Sequence, residues 1–212
     1  MKIAPSILAA DFANLASDIA RVADEVDLLH VDCMDGHYVP NLTIGPPVVA
    51  ALRPHTELFL DCHLMVDDPV HHFEEFAASG ADSVTFHVEV TADPAAVAAN
   101  ARGHGLGVGV VFNPETTPAR AAEAATAAGA DIVLCMSIHP GYSGQAFMPE
   151  APGRIAELAT LVDVPIQVDG GVGEENAAAL REAGASLFVA GSSVFGAGEP
   201  AEAYRRLRAA VV

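Results

Sequence analysis

Eight short, mostly apolar runs alternate with Ala-rich segments of helical period, and this alternation is what most narrows the folds open to the chain. The runs predict strands over 2–8, 28–33, 58–64, 83–88, 107–112, 131–136, 165–169 and 186–190. The segments after them predict helices centred on 14–25, 46–53, 70–79, 94–103, 118–128, 151–161, 174–183 and 200–210. A weak internal repeat agrees: GADSV at 80, GADIV at 129 and GASLF at 184 each set a helix-ending glycine just before a strand. Pro46, Pro69, Pro94, Pro118 and Pro200 stand where first helical turns are expected. Eight β-then-α units in 212 residues, 51% of them hydrophobic, predict an α/β fold of one domain, a (β/α)8 TIM barrel spanning 1–212. A doubly wound sheet is the weaker alternative, because no G-x-G-x-x-G follows the first strand.

Charge limits the partners. A formal net charge of −18 disfavours nucleic acid and anionic membranes, which need a basic surface. The basic residues are nine arginines and one lysine, Lys2, so a Schiff base or a lysine acid/base within a site is nearly excluded. Cys33, Cys62 and Cys135 lack C-x-x-C spacing and sit in apolar runs, as small core residues of a reducing compartment would. The opening MKIAPSILAADF is too short in apolar residues for a secretory signal, and no run reaches membrane-spanning length, so a cytoplasmic location is expected.

In such a barrel the active face lies at the strand C-termini, and four metal-type side chains fall there. His30 and Asp32 share one strand face in LLHVDCMDG, His63 stands in LFLDCHLMV and Asp169 in PIQVDGG. Two imidazoles and two carboxylates suit one divalent ion, with zinc the first expectation and iron, manganese or cobalt also accepted. The carboxylates can also act as acid and base, which suggests proton transfer at a carbon beside a carbonyl. Asp61 shares the face of His63 but lies deeper, where it would support a ligand rather than be one. Met34, Met65 and Met136 reach the same depth and could form an apolar cap that keeps water from a reactive intermediate.

Without lysine, phosphate has to be held by backbone N–H groups. PGYSG (140–144), DGGVG (169–173) and AGSSVF (190–195) follow strands six, seven and eight and are rich in glycine or serine, and the loops after strands seven and eight are the usual phosphate site of this barrel. The stretch 138–149, IHPGYSGQAFMP, is the longest irregular connection and reads as a lid.

Taken together and in order, APSILAADF, HVDCMDGHYVPN, DCHLMV, HPGYSGQAF, VDGGV and AGSSVF resemble the ribulose-phosphate 3-epimerase family across essentially the whole chain. The resemblance implies an isomerase that interconverts D-ribulose 5-phosphate and D-xylulose 5-phosphate with one divalent ion. It implies His30, Asp32, His63 and Asp169 as metal ligands, with Asp32 and Asp169 also exchanging protons. It implies substrate contacts at Ser6 and His63, phosphate contacts along Gly141, Tyr142, Ser143, Gly144, Gly170, Gly171, Gly191 and Ser192, and the cap at Met34, Met65 and Met136. It further implies a homo-oligomer.

One departure stands out. Where the family usually reads Asn or Glu and then Pro-Gly-Phe-Gly-Gly-Gln, this chain has His139, Pro140, Gly141, Tyr142, Ser143, Gly144 and Gln145. The altered lid leaves open a six-carbon ketose phosphate such as D-allulose 6-phosphate. It also leaves two readings of His139, a surface residue or a contact to phosphate. A decarboxylase or aldolase would need the missing lysine, and a non-catalytic phosphosugar-binding barrel would not need both Asp32 and Asp169.

Overall fold

The computed structural model describes residues 1–142 and 144–212. Eight strands alternate with helices: β1 Lys2–Pro5, α1 Leu15–Ala20, β2 Leu28–Met34, α2 Pro46–Leu52, β3 Phe59–Met65, α3 Phe73–Ala78, β4 Ser83–His87 and α4 Pro94–Gly103. Then come β5 Gly107–Phe112, α5 Pro118–Ala128, β6 Ile132–Met136, α6 Ala151–Ala159, β7 Ile166–Asp169, α7 Glu174–Glu182, β8 Leu187–Ala190, a short α8 Ser192–Phe195 and α9 Pro200–Ala210. All strand pairs are parallel, in the order β1-β8-β7-β6-β5-β4-β3-β2, and a bridge between Ser6 and His30 brings β1 and β2 together. The fold is the (β/α)8 barrel.

Local chemistry accounts for where the helices begin and end. Proline occupies the first or second position of α2, α4, α5 and α9, where its missing N–H costs nothing. Gly129 ends α5 in the left-handed region at φ 54°, and Gly80 and Gly184, the matching glycines of the internal repeat, also take positive φ. Three expected elements differ and one is added. The strand expected at 2–8 stops at Pro5, because the Ser6 side chain accepts the Leu8 N–H and turns the chain into a 3-10 turn at Ile7–Ala9. The helix expected at 14–25 ends at Ala20 and continues as turns; Asp24, Glu25 and Asp27 follow at a C-terminal end where negative charge is unfavourable. The segment 70–79 divides into a 3-10 turn, Pro69–His72, and α3. Between β8 and α9 the chain forms α8, which periodicity alone did not predict as an element.

Strand alternation sorts the side chains. Leu29, Val31, Leu60, Leu64, Val84, Phe86, Val110, Phe112, Val133, Val168 and Phe188 face outward and form the main core against the helices. Cys33, Cys62 and Cys135 lie in this layer, buried and unpaired, as small core residues. The opposite faces point into the barrel, and that interior is divided. β1, β6 and β8 supply Ala4, Leu134 and Val189, whereas β2, β3, β4 and β7 supply His30, Asp32, Asp61, His63, Ser83, Thr85, His87 and Gln167, all buried. Buried polar groups persist only when they satisfy one another, so half of this interior must be a hydrogen-bonded network. Gly109 on β5 leaves room for it: a Cβ there would lie 2.2 Å from Thr85 Oγ1. Among the described residues, no helix is long and apolar enough to cross a membrane.

Candidate active site

At the C-terminal end of the barrel β2, β3 and β7 bring four donors together. One ligand atom from each of His30, Asp32, His63 and Asp169 lies within 4.8 Å of all the others. The register explains the convergence, since Asp32 pairs with His63 across β2 and β3. His30 Nε2 stands 3.4 Å from Asp32 Oδ1 and 3.9 Å from Asp169 Oδ2, and His63 Nδ1 stands 3.1 and 3.7 Å from the same two oxygens. Both imidazoles are fully buried. Burial works to lower their pKa values, but the neighbouring carboxylates outweigh it and raise both. For Asp32, burial works upward and is outweighed by the charge and hydrogen bonds of His30 and His63, which hold its carboxyl below the ordinary range. The cluster favours positive charge at its centre.

Three of the four donors are held from behind. Asp61 Oδ2 lies 3.0 Å from His30 Nδ1 and accepts from Gln167 Nε2 at 3.1 Å, while Asp61 Oδ1 accepts from Ser83 Oγ at 2.8 Å. A carboxylate in that position keeps the proton on His30 Nδ1 and leaves Nε2 free to bind a cation. Ser6 Oγ donates to Asp32 Oδ2 at 2.6 Å, so it fixes one oxygen while the other faces the cluster. His63 Nε2 meets His87 Nε2 at 2.9 Å. Burial pushes His87 down to about 4, though Glu89 beside it works the other way, and His87 is accordingly neutral at pH 7. Sequence reasoning missed His87 and Gln167. The available signal was parity, since Gln167 and Asp169 share a face, as do Thr85 and His87.

The donor set opens onto a cavity lined by Ser6, Leu8, Asp32, Met34, Met65, Met136, Ile138, Gly141, Tyr142, Asp169 and Gly191. Met34 and Met65 pack with Val39, Leu8 and Tyr38 on one side, and Met136 packs with Val111, Leu134 and Ile138 on the other. His63 has no exposed surface and lies beneath this wall rather than on it. A second cavity, sharing Ile138 and Gly191 with the first, is lined by Gly144, Gln145, Phe147, Gly171, Val172, Gly173, Ser192 and Ser193. Ser193 Oγ is buried there and has no hydrogen-bond partner among the described residues. Gly170 supports this cavity without facing it. Its φ of +120° and the 2.8 Å separation that any Cβ would have from Ile138 N admit only glycine, and the loop after β7 thereby packs on the segment after β6.

Of the lid, Tyr142 is exposed, Gln145 Nε2 donates to the carbonyls of His139 and Tyr142, and Phe147 packs on the main core. Ser143 lies outside the described residues. His139 Nδ1 pairs with Glu115 Oε1 at 3.0 Å; both side chains are more than half exposed, and neither is among the described residues lining these two cavities. The profile of kcat/KM against pH is therefore expected to be the same for His139→Asn and the native chain from about pH 5.5 to 8, where histidines ordinarily titrate. Separate curves would give His139 a part in binding substrate.

Residues 2–195 match the model of the ribulose-phosphate 3 epimerase family. The chain belongs to this family. It is 44% identical over 211 residues to ribulose-phosphate 3-epimerase of Mycobacterium tuberculosis, covering 97% of this chain and 91% of that protein. It is also 44% identical to the cytoplasmic isoform from Oryza sativa subsp. japonica (99% and 94% covered) and 41% identical to the Bacillus subtilis enzyme (89% and 89%). Among solved structures, a 3-hexulose-6-phosphate synthase superposes with a TM-score of 0.77 at 26% identity over all of both chains. KGPDC from Streptococcus mutans superposes at 0.75 and 17% identity, covering 99% of this chain and 96% of that one, which is a likeness of fold. As a member of the ribulose-phosphate 3-epimerase family the chain is an isomerase of the epimerase type, and the His/Asp cluster at its active face could hold a metal ion.

Proposed function

We propose that the chain interconverts D-ribulose 5-phosphate and D-xylulose 5-phosphate by proton transfer at C3, with one divalent ion held by His30, Asp32, His63 and Asp169. The observation that carries this reading is the convergence of the four donors within 4.8 Å at the open end of the barrel. The set fits an ion chemically: two ring nitrogens and two carboxylate oxygens suit zinc first, and also iron, manganese or cobalt. When bound, the ion supplies positive charge beside the sugar oxygens, where negative charge develops as C3 loses its proton.

The protein's own groups do the rest. Inverting C3 requires removing a proton from one face and delivering one to the other, and two carboxylates that reach the cavity from different strands can do so. Asp32 comes from β2 and Asp169 from β7, two strands that β1 and β8 separate around the barrel. Ser6 keeps Asp32 Oδ2 in place through its 2.6 Å hydrogen bond and lies on the cavity wall, where it can touch substrate. Met34, Met65 and Met136 exclude water from the reacting carbon. The phosphate fits the second cavity, against the backbone of Gly144, Gly171, Gly191 and Ser192, with Gly170 behind it and Gly141 and Tyr142 on the wall of the adjoining cavity; Ser143, outside the described residues, is proposed as a further phosphate contact.

The decisive assay compares turnover of D-ribulose 5-phosphate with that of D-allulose 6-phosphate in deuterated water. The expected result is faster conversion of the five-carbon substrate, with solvent deuterium appearing at C3. Preference for the six-carbon substrate would replace the substrate and keep the chemistry. Binding without C3 exchange would overturn both.

A further inference from the structure

We propose that His87 is a positioning residue for the metal centre: backed by the buried carboxylate of Glu89, it fixes His63 in the one tautomer able to bind a cation. This rests on the reading that His30, Asp32, His63 and Asp169 hold an ion. His87 ends β4, is fully buried and stacks on His63, with ring centroids 5.1 Å apart and planes 26° apart. Their Nε2 atoms are 2.9 Å apart, so one must donate and the other accept.

The far side of His87 decides which. His87 Nδ1 faces Tyr38 Oη at 2.9 Å and Glu89 Oε2 at 3.4 Å. A carboxylate offers only lone pairs, whereas Tyr38 Oη, which accepts from Asn113 Nδ2 at 2.6 Å, can still donate to Nδ1 or accept from it, so Glu89 decides. Glu89 is itself pinned, because its Oε1 accepts the Asn113 backbone N–H at 2.9 Å and the Thr116 hydroxyl. Glu89 Oε2 is fully buried and, among the described residues, has no hydrogen bond of its own, and His87 Nδ1 stands beside it at 3.4 Å. A bare Nδ1 would set its lone pair against that oxygen, so Nδ1 carries the proton. In a neutral ring Nε2 then has the lone pair, and His63 Nε2 must donate to it. His63 Nδ1 is left bare, 3.1 Å from Asp32 Oδ1 and 3.4 Å from His30 Nε2, turned toward the donor cluster. The reverse chain would aim an N–H of His63 into the cluster and oppose a cation.

Two measurements test this on the full chain. In the zinc-loaded native protein, ¹⁵N shifts of the imidazoles should show His87 neutral with the proton on Nδ1, and His63 with the proton on Nε2. A proton on His87 Nε2, or a cationic His87, overturns the proposal. Titration with Co²⁺ should give tight binding for the native protein, binding weaker by about 10- to 100-fold for His87→Leu, and near-native binding and d–d spectrum for His87→Gln, whose amide can accept from His63 and donate toward Glu89. Unchanged Co²⁺ affinity and spectrum in folded His87→Leu overturn the proposal and spare the metal reading. Failure of the native chain to bind Co²⁺ or Zn²⁺ removes both. Should His87→Leu not fold, the ¹⁵N measurement decides alone.

Discussion

Replacing Asp32 or Asp169 by Asn is expected to lower kcat by about 10²- to 10⁴-fold, with a much smaller change in KM. The amide keeps the size of the side chain and removes its capacity to take up and return a proton, so the loss falls on the chemical step rather than on binding. The two variants should not behave alike. Asp32 is nearly fully buried, takes the hydrogen bond of Ser6, and is the principal charge facing His30 and His63. Asp32→Asn therefore weakens the hold on the ion as well, and its deficit should be the larger. Asp169 is the more exposed carboxylate, and its variant should keep more of its metal. The check is steady-state kinetics on protein of measured metal content. A normal kcat with only a raised KM would show that the residue merely orients substrate.

Removing the metal is expected to bring activity down to background, and restoring it to bring activity back. The reasoning is electrostatic. Abstracting a proton beside a carbonyl leaves negative charge on oxygen, and something positive must meet it. No lysine or arginine is among the described residues lining either cavity, and the chain's one lysine, Lys2, starts β1 at the opposite end of the barrel. The ion is then the main electrophile expected there. Full turnover by protein shown metal-free by elemental analysis would refute this.

Much of this could be read from the residues because the barrel repeats one simple pattern. An outward apolar face, a helix-opening proline and a helix-ending glycine recur often enough to place all eight strands and their following helices. The boundaries that differ are those set by side chains acting on backbone: the Ser6 hydroxyl ends β1, and carboxylates beyond Ala20 follow the shortened α1. The candidate ligands were legible because each is a metal-type side chain at an inward-facing position of a strand. Their supports were less so. Asp61 shared a strand with His63 and could be placed by alternation. Gln167 and His87 act on residues 137 and 24 positions away, through contacts that only the register of the closed sheet creates. In TFHVEV nothing distinguishes His87 from an ordinary buried histidine. The lid is a third case, because its irregular backbone has no period to read.

Seven seams of the barrel are laced by continuous backbone ladders. The eighth, between β1 and β2, is joined among the described residues by the Ser6–His30 bridge and reinforced by the hydroxyl of Ser6 on Asp32. The thinnest join of the cylinder thus runs through the reacting centre, and whatever occupies that centre acts as its clasp. Because a ligand stabilises the form that binds it, filling the site also holds the barrel shut, and the emptied protein has its easiest line of opening where its chemistry is done.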